Sequence, residues 1–193
     1  MKTLYVLGNE HNANFLSHKF KDIVELSAIH FPSEDTVPPH LLLFAGGQDL
    51  CPSLYGKHYP QVYGSKQRDE WEVAWFNFAV KHKVPMFGIC RGMQLFTAMT
   101  GGELIPHVNN HVSGHFVHTG KEFFRVNSIH HQMCVPSENA RVLAWAEGVA
   151  FKHPKREPEA IWFPSVNALG VQWHPEMLSY SPAHKPARDY VLS

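Results

Sequence analysis

The sequence is poor in cysteine and has no excess of charge of either sign. Its three cysteines, Cys51, Cys90 and Cys134, form no C-x-x-C pair, so neither a disulfide framework nor a zinc knuckle is indicated, and a reducing compartment fits. Lysine plus arginine and aspartate plus glutamate each number 17. Because nucleic-acid-binding domains carry a basic face, this balance argues against a nucleic-acid partner.

Long apolar segments are also missing. No apolar run approaches the length of a membrane span, and residues 1–10 lack the apolar core and small-residue cleavage site of a signal peptide. These absences predict a cytoplasmic protein that does not contact a membrane. The remaining features, 193 residues of which 44% are hydrophobic and 18% charged, are typical of one globular domain spanning residues 1–193.

Strand-like and helix-like segments alternate along the chain. Residues 41–45 are uniformly apolar, as in a strand buried on both faces of a parallel sheet. Apolar residues at helical spacing predict helices over about residues 12–24, from Asp69 onward, and from Arg91 to about Met99. The alternation predicts a three-layer α/β domain with a mostly parallel central sheet. Further predicted strands lie at 24–29, 84–89, 123–127, 160–163 and 169–173, with a meander at 141–151, loops at 31–40 and 57–68, and a short helix at 186–192.

Residues 84–94 are typical of a sharp strand–nucleophile–helix turn. An apolar run ends at Cys90, a helix-forming run follows it, and glycines stand two positions before and after. Side chains at those flanking positions would collide in so sharp a turn, and glycine avoids the collision. The N–H of Arg91 opens the helix and is a candidate oxyanion donor, while the helix N-terminus favours the thiolate of Cys90. Taken alone, the motif also fits a buried structural cysteine at a strand end.

A glycine pair, Gly46 and Gly47, follows the apolar strand at 41–45. Open α/β sheets bind ligands at the C-terminal ends of their parallel strands, and the N–H groups of a glycine pair can face an anion without an intervening Cβ. A plain tight turn is the alternative interpretation.

A candidate base and its orienting group stand near the end of the sequence. Residues 170–176 read G-V-Q-W-H-P-E, and in an extended chain His174 and Glu176 point the same way. Such a carboxylate keeps one imidazole nitrogen protonated and leaves the other free for a thiol. Cys90 and His174 are far apart in sequence, so only the fold can bring them together.

Four histidines in residues 107–118 raise the question of a metal site: His107, His111, His115 and His118. Their spacing would place them on one helical face, but the N-N and S-G pairs between them disfavour a helix. No carboxylate or thiol lies among them. We therefore expect a loop with polar histidines and no metal.

Three further segments stand out beside G-I-C-R-G-M-Q at 88–94 and V-Q-W-H-P-E at 171–176. They are G-G-Q-D-L-C-P-S-L-Y-G at 46–56, R-D-E-W-E at 68–72 and V-N-S-I-H-H-Q at 126–132. Together, the five segments resemble the class I glutamine amidotransferase superfamily, and within it the gamma-glutamyl-gamma-aminobutyrate hydrolase branch, peptidase C26. The resemblance runs from about residue 40 to 176 and implies a three-layer, flavodoxin-like fold.

This resemblance implies a catalytic triad of Cys90, His174 and Glu176 that hydrolyses a gamma-glutamyl amide through a glutamyl thioester. It implies a small-molecule gamma-glutamyl substrate, no cofactor, and an oxyanion hole formed by the N–H groups of Gly47 and Arg91. The residues it assigns to substrate binding are Gly46, Gln94, Ser128, Ile129 and His130. The regions that shape the pocket for the leaving amine are shorter than is usual in this branch.

Three functions remain open on the sequence alone. The chain is a stand-alone gamma-glutamyl amide hydrolase, a glutaminase subunit that delivers ammonia to a separate synthetase, or a non-catalytic binding or regulatory relative. The presence of all three triad residue types weakens the third. A thiol stress sensor would not need the H-P-E motif.

Overall fold

The computed structural model describes residues 2–56, 64–149 and 156–178, together with residues 185 and 189. Within them the strands are β1 (Thr3–Leu7), β2 (Asp22–Leu26), β3 (Leu41–Phe44), β4 (Met86–Ile89), β5 (Glu103–Ile105), β6 (His115–His118), β7 (Phe123–Val126), β8 (Met133–Val135), β9 (Arg141–Glu147), β10 (Arg156–Phe163) and β11 (Ala168–Val171). The α-helices are α1 (Lys66–His82) and α2 (Arg91–Met99). Short 3-10 helices lie at Glu10–Leu16, Pro52–Leu54, Pro164–Val166 and Pro175–Met177.

The main sheet has a parallel part that continues into an antiparallel part. Over the described residues its strand order is β2-β1-β3-β4-β11-β10-β9-β6-β7. Neighbours from β2 to β11 pair in parallel, and neighbours from β11 to β7 pair antiparallel. Strands β5 and β8 form a separate antiparallel pair. The predicted α/β class with a largely parallel central sheet is confirmed.

Alternating side chains of the parallel strands divide the core between the two faces of the sheet. On one face, Leu42 packs in a cluster with Trp75 of α1 and Phe96 of α2. On the other, Leu43 packs in a cluster with Phe15 of the first 3-10 helix. Each such buried side chain contributes about 1.5–3 kcal/mol of hydrophobic free energy. Strand β3 is therefore covered on both sides, as its uniformly apolar sequence requires.

The prediction of a helix over residues 12–24 is wrong. The chain forms the 3-10 helix Glu10–Leu16 and then enters β2, which also begins earlier than the strand predicted at 24–29. Ile23, which belonged to the predicted helical stripe, pairs with Leu4 of β1. Backbone pairing with β1 thus overrides a helical spacing of apolar side chains, as tertiary context often does.

Helix α1 begins at Lys66 rather than at the predicted Asp69. Ser65 caps its N-terminus, because the serine hydroxyl accepts a hydrogen bond from the Arg68 N–H at 3.3 Å. The helix ends where Lys83 adopts a left-handed conformation with φ of 56°. Neither this helix, at 17 residues, nor any other in the described part of the chain is long and apolar enough to cross a bilayer.

The expectation of a histidine-bearing loop over residues 107–118 is only partly right. Strand β6 occupies its last four residues, because they pair with β7 and β9, and His111 is fully buried. The meander predicted at 141–151 is a single strand, β9, as far as Glu147, and residues 150–155 lie outside the described residues. Residues 57–63 of the predicted loop and most of the predicted helix at 186–192 also lie outside them.

Strands β3, β4 and β11 are adjacent and parallel, so their C-terminal ends meet at one edge of the sheet. Phe44 near the end of β3 pairs with Gly88, and Val171 at the end of β11 pairs with Ile89. The residues that follow these ends are the glycine pair, Cys90 and the H-P-E segment. Binding sites of open α/β sheets form at this edge.

Candidate active site

Cys90 occupies the turn between β4 and α2 in a backbone conformation that side-chain-bearing residues rarely adopt. Its φ is 48° and its ψ −100°, and its N–H donates to the Val171 carbonyl oxygen at 2.7 Å. An added Cβ at Gly88 would lie 2.6 Å from the Gly92 carbonyl carbon, and one at Gly92 only 2.4 Å from the Phe44 oxygen. The two glycines are therefore required sterically. Strained conformations of this kind concentrate at active sites.

His174 is held by a carboxylate two residues further along. Its Nδ1 bonds to Glu176 Oε1 at 2.7 Å, and because an ionised carboxylate only accepts, Nδ1 carries the proton. Burial by itself lowers the pKa of His174. Hydrogen bonds with Cys90 and Glu176, and the negative charges of the thiolate and carboxylate, outweigh burial and raise that pKa to about 10. The imidazole is therefore charged at neutral pH.

Cys90 and His174 come together because β4 and β11 are neighbours. Cys90 is one of the neighbours that raise the pKa of His174, and Gly46 lies against both side chains. An added Cβ at Gly46 would lie 2.6 Å from His174 Cε1 and 3.6 Å from Cys90 Cβ. A thiol, an imidazole and a carboxylate thus stand in a row beside the glycine pair, which is the arrangement that nucleophilic catalysis by a thiol requires.

The side chain of Arg68 anchors the main chain at the glycine pair. Its Nη2 donates to the carbonyl oxygens of Gly46 at 2.9 Å and Ala45 at 3.3 Å, and its Nε donates to Glu72 at 2.8 Å. In a trans peptide the C=O and N–H point in opposite directions, so anchoring the Gly46 oxygen aims the Gly47 N–H away from Arg68. An added Cβ at Gly47 would lie 2.0 Å from Arg68 Nη1. The φ of Gly47 is +154°, a conformation that residues with a side chain rarely adopt, so only glycine fits.

The guanidinium of Arg91 is fully buried and pairs with Asp69 and Glu72 of α1. Burial and the neighbouring charge of Arg68 lower the pKa of Arg91 to about 10, but it remains charged at neutral pH. The acidic residues of α1 thereby connect the start of α2 to the glycine pair. Sequence reasoning missed this role, although residues 68–72 were among the segments that carried the resemblance.

Gln172 lies beside the sulfur of Cys90. Its Nε2 donates to Cys90 Sγ at 3.4 Å, and its Oε1 accepts from Cys134 Sγ at 3.9 Å. The side-chain amide of Gln172 thus links the two buried cysteines. Burial raises the pKa of Cys134 to about 12, so this second thiol remains protonated. Sequence reasoning missed Gln172, although its position two residues before His174 on an extended chain was the available signal.

The residues predicted to bind substrate lie in different surroundings. Gly46 borders the Cys90–His174 pair, and Gln94 is buried with its side-chain amide donating to a main-chain oxygen at 3.4 Å. Ser128 and His130 are buried and bond to main-chain carbonyls at 2.6 and 2.9 Å, whereas Ile129 is exposed. Substrate contacts by these residues stay predictions.

A second group of titratable side chains lies in the interior. His111, His130 and Glu159 are buried, and one potential ligand atom from each lies within 4.8 Å of the others. Burial by itself raises the pKa of Glu159, but the interactions with the neighbouring His115 and His130 hold that pKa at about 2. These residue types can hold a metal ion. The sequence argument against a metal found no carboxylate among the histidines, but β10 supplies one.

Comparisons with known proteins show what the chain is similar to. The family model described as Peptidase C26 matches residues 40–176. Over 146 residues the chain is 31% identical to the gamma-glutamyl-CDP-amidate hydrolase of Campylobacter jejuni, a match covering 70% of this chain and 61% of that protein. Over 160 residues it is 29% identical to the gamma-glutamyl-gamma-aminobutyrate hydrolase of Escherichia coli O157:H7, covering 66% of this chain and 60% of that protein. The chain thus spans about three fifths of these relatives.

Solved structures resemble the chain over its whole length. The crystal structure of a glutamine amidotransferase from Thermotoga maritima matches with a TM-score of 0.66 and 16% identity, covering 100% of this chain and 85% of that one. At this level of identity the similarity concerns the fold alone.

Proposed function

The chain belongs to the peptidase C26 family, and from this premise we propose that it hydrolyses a gamma-glutamyl amide bond with Cys90 as nucleophile. The observation that carries the proposal is the Cys90–His174–Glu176 row at the adjoining ends of β4 and β11. Because the pKa of His174 is raised to about 10, its imidazolium is available as a proton donor at neutral pH. No cofactor takes part in the proposed steps.

In the first half-reaction, the Cys90 sulfur attacks the gamma-carbonyl carbon of the substrate. The carbonyl oxygen becomes an oxyanion, which the N–H groups of Gly47 and Arg91 stabilise. Removing one such donor in other enzymes costs about 2.7–4 kcal/mol. The His174 imidazolium then protonates the departing nitrogen, the carbon–nitrogen bond breaks, and a glutamyl thioester remains on Cys90.

In the second half-reaction, the neutral His174 takes a proton from water, and the hydroxide attacks the thioester carbonyl. The same two N–H groups hold the second oxyanion. The carbon–sulfur bond breaks, the glutamyl carboxylate leaves, and the thiolate–imidazolium pair is restored. Glu176 keeps the His174 Nδ1 proton in place throughout, so that Nε2 carries out both transfers.

The substrate class rests on the names of relatives, three of which are gamma-glutamyl hydrolases. The purified chain is incubated with glutamine and a panel of gamma-glutamyl amines, including gamma-glutamyl-gamma-aminobutyrate, and the released amine is identified by chromatography. Cys90→Ser, which keeps the size of the side chain, should lower the rate by about 10⁴-fold or more. A Cys90→Ser variant that turns over at an ordinary rate would show that the nucleophile is misassigned.

Mass spectrometry of the quenched reaction should find a glutamyl group on Cys90, and failure to find any adduct in a single-turnover experiment would count against the thioester. The same panel separates the remaining alternatives. Ammonia released from glutamine only when a synthetase is added would make the chain a glutaminase subunit. No turnover of any substrate, with or without a partner, would favour a non-catalytic relative.

A further inference from the structure

The interior of the antiparallel half contains a buried cluster of histidines and glutamates. His111 precedes β6, His130 lies between β7 and β8, and Glu159 belongs to β10. The side chains of all three are at most 3% exposed. Burying ionisable groups is costly unless they are paired or coordinate a metal. This cluster is therefore expected to have a specific partner for every polar atom, and it does not.

The hydrogen bonds within the cluster determine where the imidazole protons lie. His111 Nε2 bonds to Glu157 Oε2 at 2.8 Å, and His130 Nδ1 bonds to the Gln132 carbonyl oxygen at 2.9 Å. Both partners only accept, so these nitrogens carry the protons. The opposite nitrogens, His111 Nδ1 and His130 Nε2, then expose lone pairs and have no hydrogen-bond partner.

Both lone pairs face the same carboxylate. His111 Nδ1 lies 3.5 Å and His130 Nε2 3.8 Å from Glu159 Oε1, and Glu159 Oε2 has no hydrogen-bond partner either. Three electron-rich atoms that converge in the buried interior repel one another unless a cation lies between them. A proton on either nitrogen would not remove this repulsion well, because an N–H···O hydrogen bond usually measures about 2.7–3.2 Å and both nitrogen–oxygen distances are longer.

The partners of the two imidazoles are those found around bound zinc. A histidine that binds zinc through one nitrogen almost always donates the other N–H to a carboxylate or a main-chain carbonyl, as His111 and His130 do here. Ligand bonds of about 2.0–2.1 Å in a tetrahedral site put neighbouring ligand atoms about 3.3 Å apart. The two histidine–Glu159 distances, 3.5 and 3.8 Å, exceed this by only a few tenths of an ångström, and no two ligand atoms of the set lie more than 4.8 Å apart.

We propose that His111 Nδ1, His130 Nε2 and the Glu159 carboxylate bind one Zn²⁺ ion. His115 Nε2 lies 3.0 Å from Glu159 Oε1 and orients that carboxylate. The three ligands come from segments far apart in sequence, so the ion joins them at one point. The ion has no part in the hydrolysis proposed above.

The ion would stabilise the segment that supports the catalytic histidine. Residues 126–132 carry the ligand His130 and also Asn127, which bonds to the main chain of His174. The Gln132 carbonyl oxygen accepts from both His130 and Gln94 of α2. Loss of the ion should therefore lower stability, whether or not the proposed hydrolysis is correct.

The test uses the full chain carrying Cys90→Ser, since a reactive thiol beside a histidine could itself bind zinc. Metal analysis after incubation with Zn²⁺ and desalting should find about one zinc per chain. Zinc should raise Tm, and a chelator should reverse the rise. Co²⁺ in place of zinc should give visible d–d bands without a thiolate charge-transfer band. In the same background, Glu159→Gln, close in size to the native residue, should abolish these effects, and His107→Ala, at an exposed histidine, should preserve them.

Several outcomes would overturn the proposal. One is the absence of stoichiometric zinc from the Cys90→Ser chain, and another is zinc retained after Glu159→Gln. Cobalt bands that appear only when Cys90 is present would place the metal at the catalytic thiol instead. Circular dichroism establishes that Glu159→Gln is folded. If Glu159→Gln is not folded, the chelator experiment on the Cys90→Ser chain is decisive. A Tm that the chelator leaves unchanged contradicts the zinc site.

Discussion

Asn127 and His174 exchange two hydrogen bonds: the asparagine amide donates to the His174 carbonyl oxygen and accepts the His174 N–H, both at 2.9 Å. A single side chain thus satisfies both main-chain groups of the proposed base without touching its ring. The residue that follows, Pro175, has no N–H to contribute to this anchoring. Asn127 is therefore a positioning residue for the imidazole.

Replacing Asn127 with alanine should lower kcat by about 100-fold, because a displacement of the imidazole by about 1 Å can cost that much. KM should change little, since Asn127 acts on the base and not on binding. Asn127→Asp keeps the acceptor for the His174 N–H and should recover part of kcat. Asn109→Ala, at an exposed position, is the control. An Asn127→Ala variant with wild-type kcat would contradict the positioning role.

Glu176→Gln should lower kcat by as much as about 10⁴-fold, because an amide cannot hold the required imidazole tautomer. The variant should also shift the pH profile. The Glu176 charge helps to raise the pKa of His174 to about 10, so its removal lowers that pKa. The alkaline limb of kcat/KM should then move to lower pH, as measured by steady-state rates across the alkaline range. A limb that stays in place would mean that another group titrates there.

The same pKa predicts how stability depends on pH. His174 titrates near pH 10 in the folded chain, against an ordinary value of 6.5, so the folded state binds its proton more tightly. The resulting stabilisation is fully present below pH 6.5 and is lost as the pH rises through about 10. His174→Gln should flatten the fall of Tm over this range. Equal slopes for variant and wild type would refute the raised pKa.

Arg68→Lys should lower kcat by about 100-fold while keeping the positive charge. A lysine ammonium cannot bridge the Gly46 carbonyl oxygen and Glu72 as the planar guanidinium does. The Gly47 N–H then loses its fixed direction, and one oxyanion donor is worth about 10²–10³ in kcat. The control is Lys66→Gln, because Lys66 lies in the same helix and its side chain is 84% exposed. An unchanged kcat in Arg68→Lys would remove this residue from the oxyanion argument.

Gly46→Ala should inactivate the enzyme with little loss of stability. The new methyl would stand 2.6 Å from His174 Cε1, so the imidazole has to move away from Cys90. Gly101→Ala is the opposite case, because nothing lies within 4 Å of its added Cβ while its φ of +81° strains any side chain. That control should lose some stability and keep full activity. Activity assays with thermal melts separate the two effects, and an active Gly46→Ala would place His174 elsewhere.

The sequence by itself determined the features that depend on local geometry. Glycines two positions on either side of Cys90 predict the sharp turn, and the structure explains both by clashes below 3 Å. The spacing of His174 and Glu176 predicts their contact, although the structure makes it at the start of the 3-10 helix Pro175–Met177 and not in the extended segment that was expected. Uniformly apolar residues 41–45 predict a buried parallel strand. Each of these inferences needs only neighbouring residues, so each could be read directly from the chain.

Only the tertiary structure decided which distant segments meet. Ile23 was predicted to be helical from the spacing of apolar residues, but it lies in a strand because it pairs with β1. The spacing of residues in one segment carries no information about such a partner. The order β3-β4-β11 brought Cys90 beside His174. The packing of β10 brought Glu159 between His111 and His130, where the sequence showed histidines without a carboxylate. Hydrogen bonds between strands and the burial of side chains join residues that are distant in sequence. The local pattern of residues therefore predicts these contacts only indirectly.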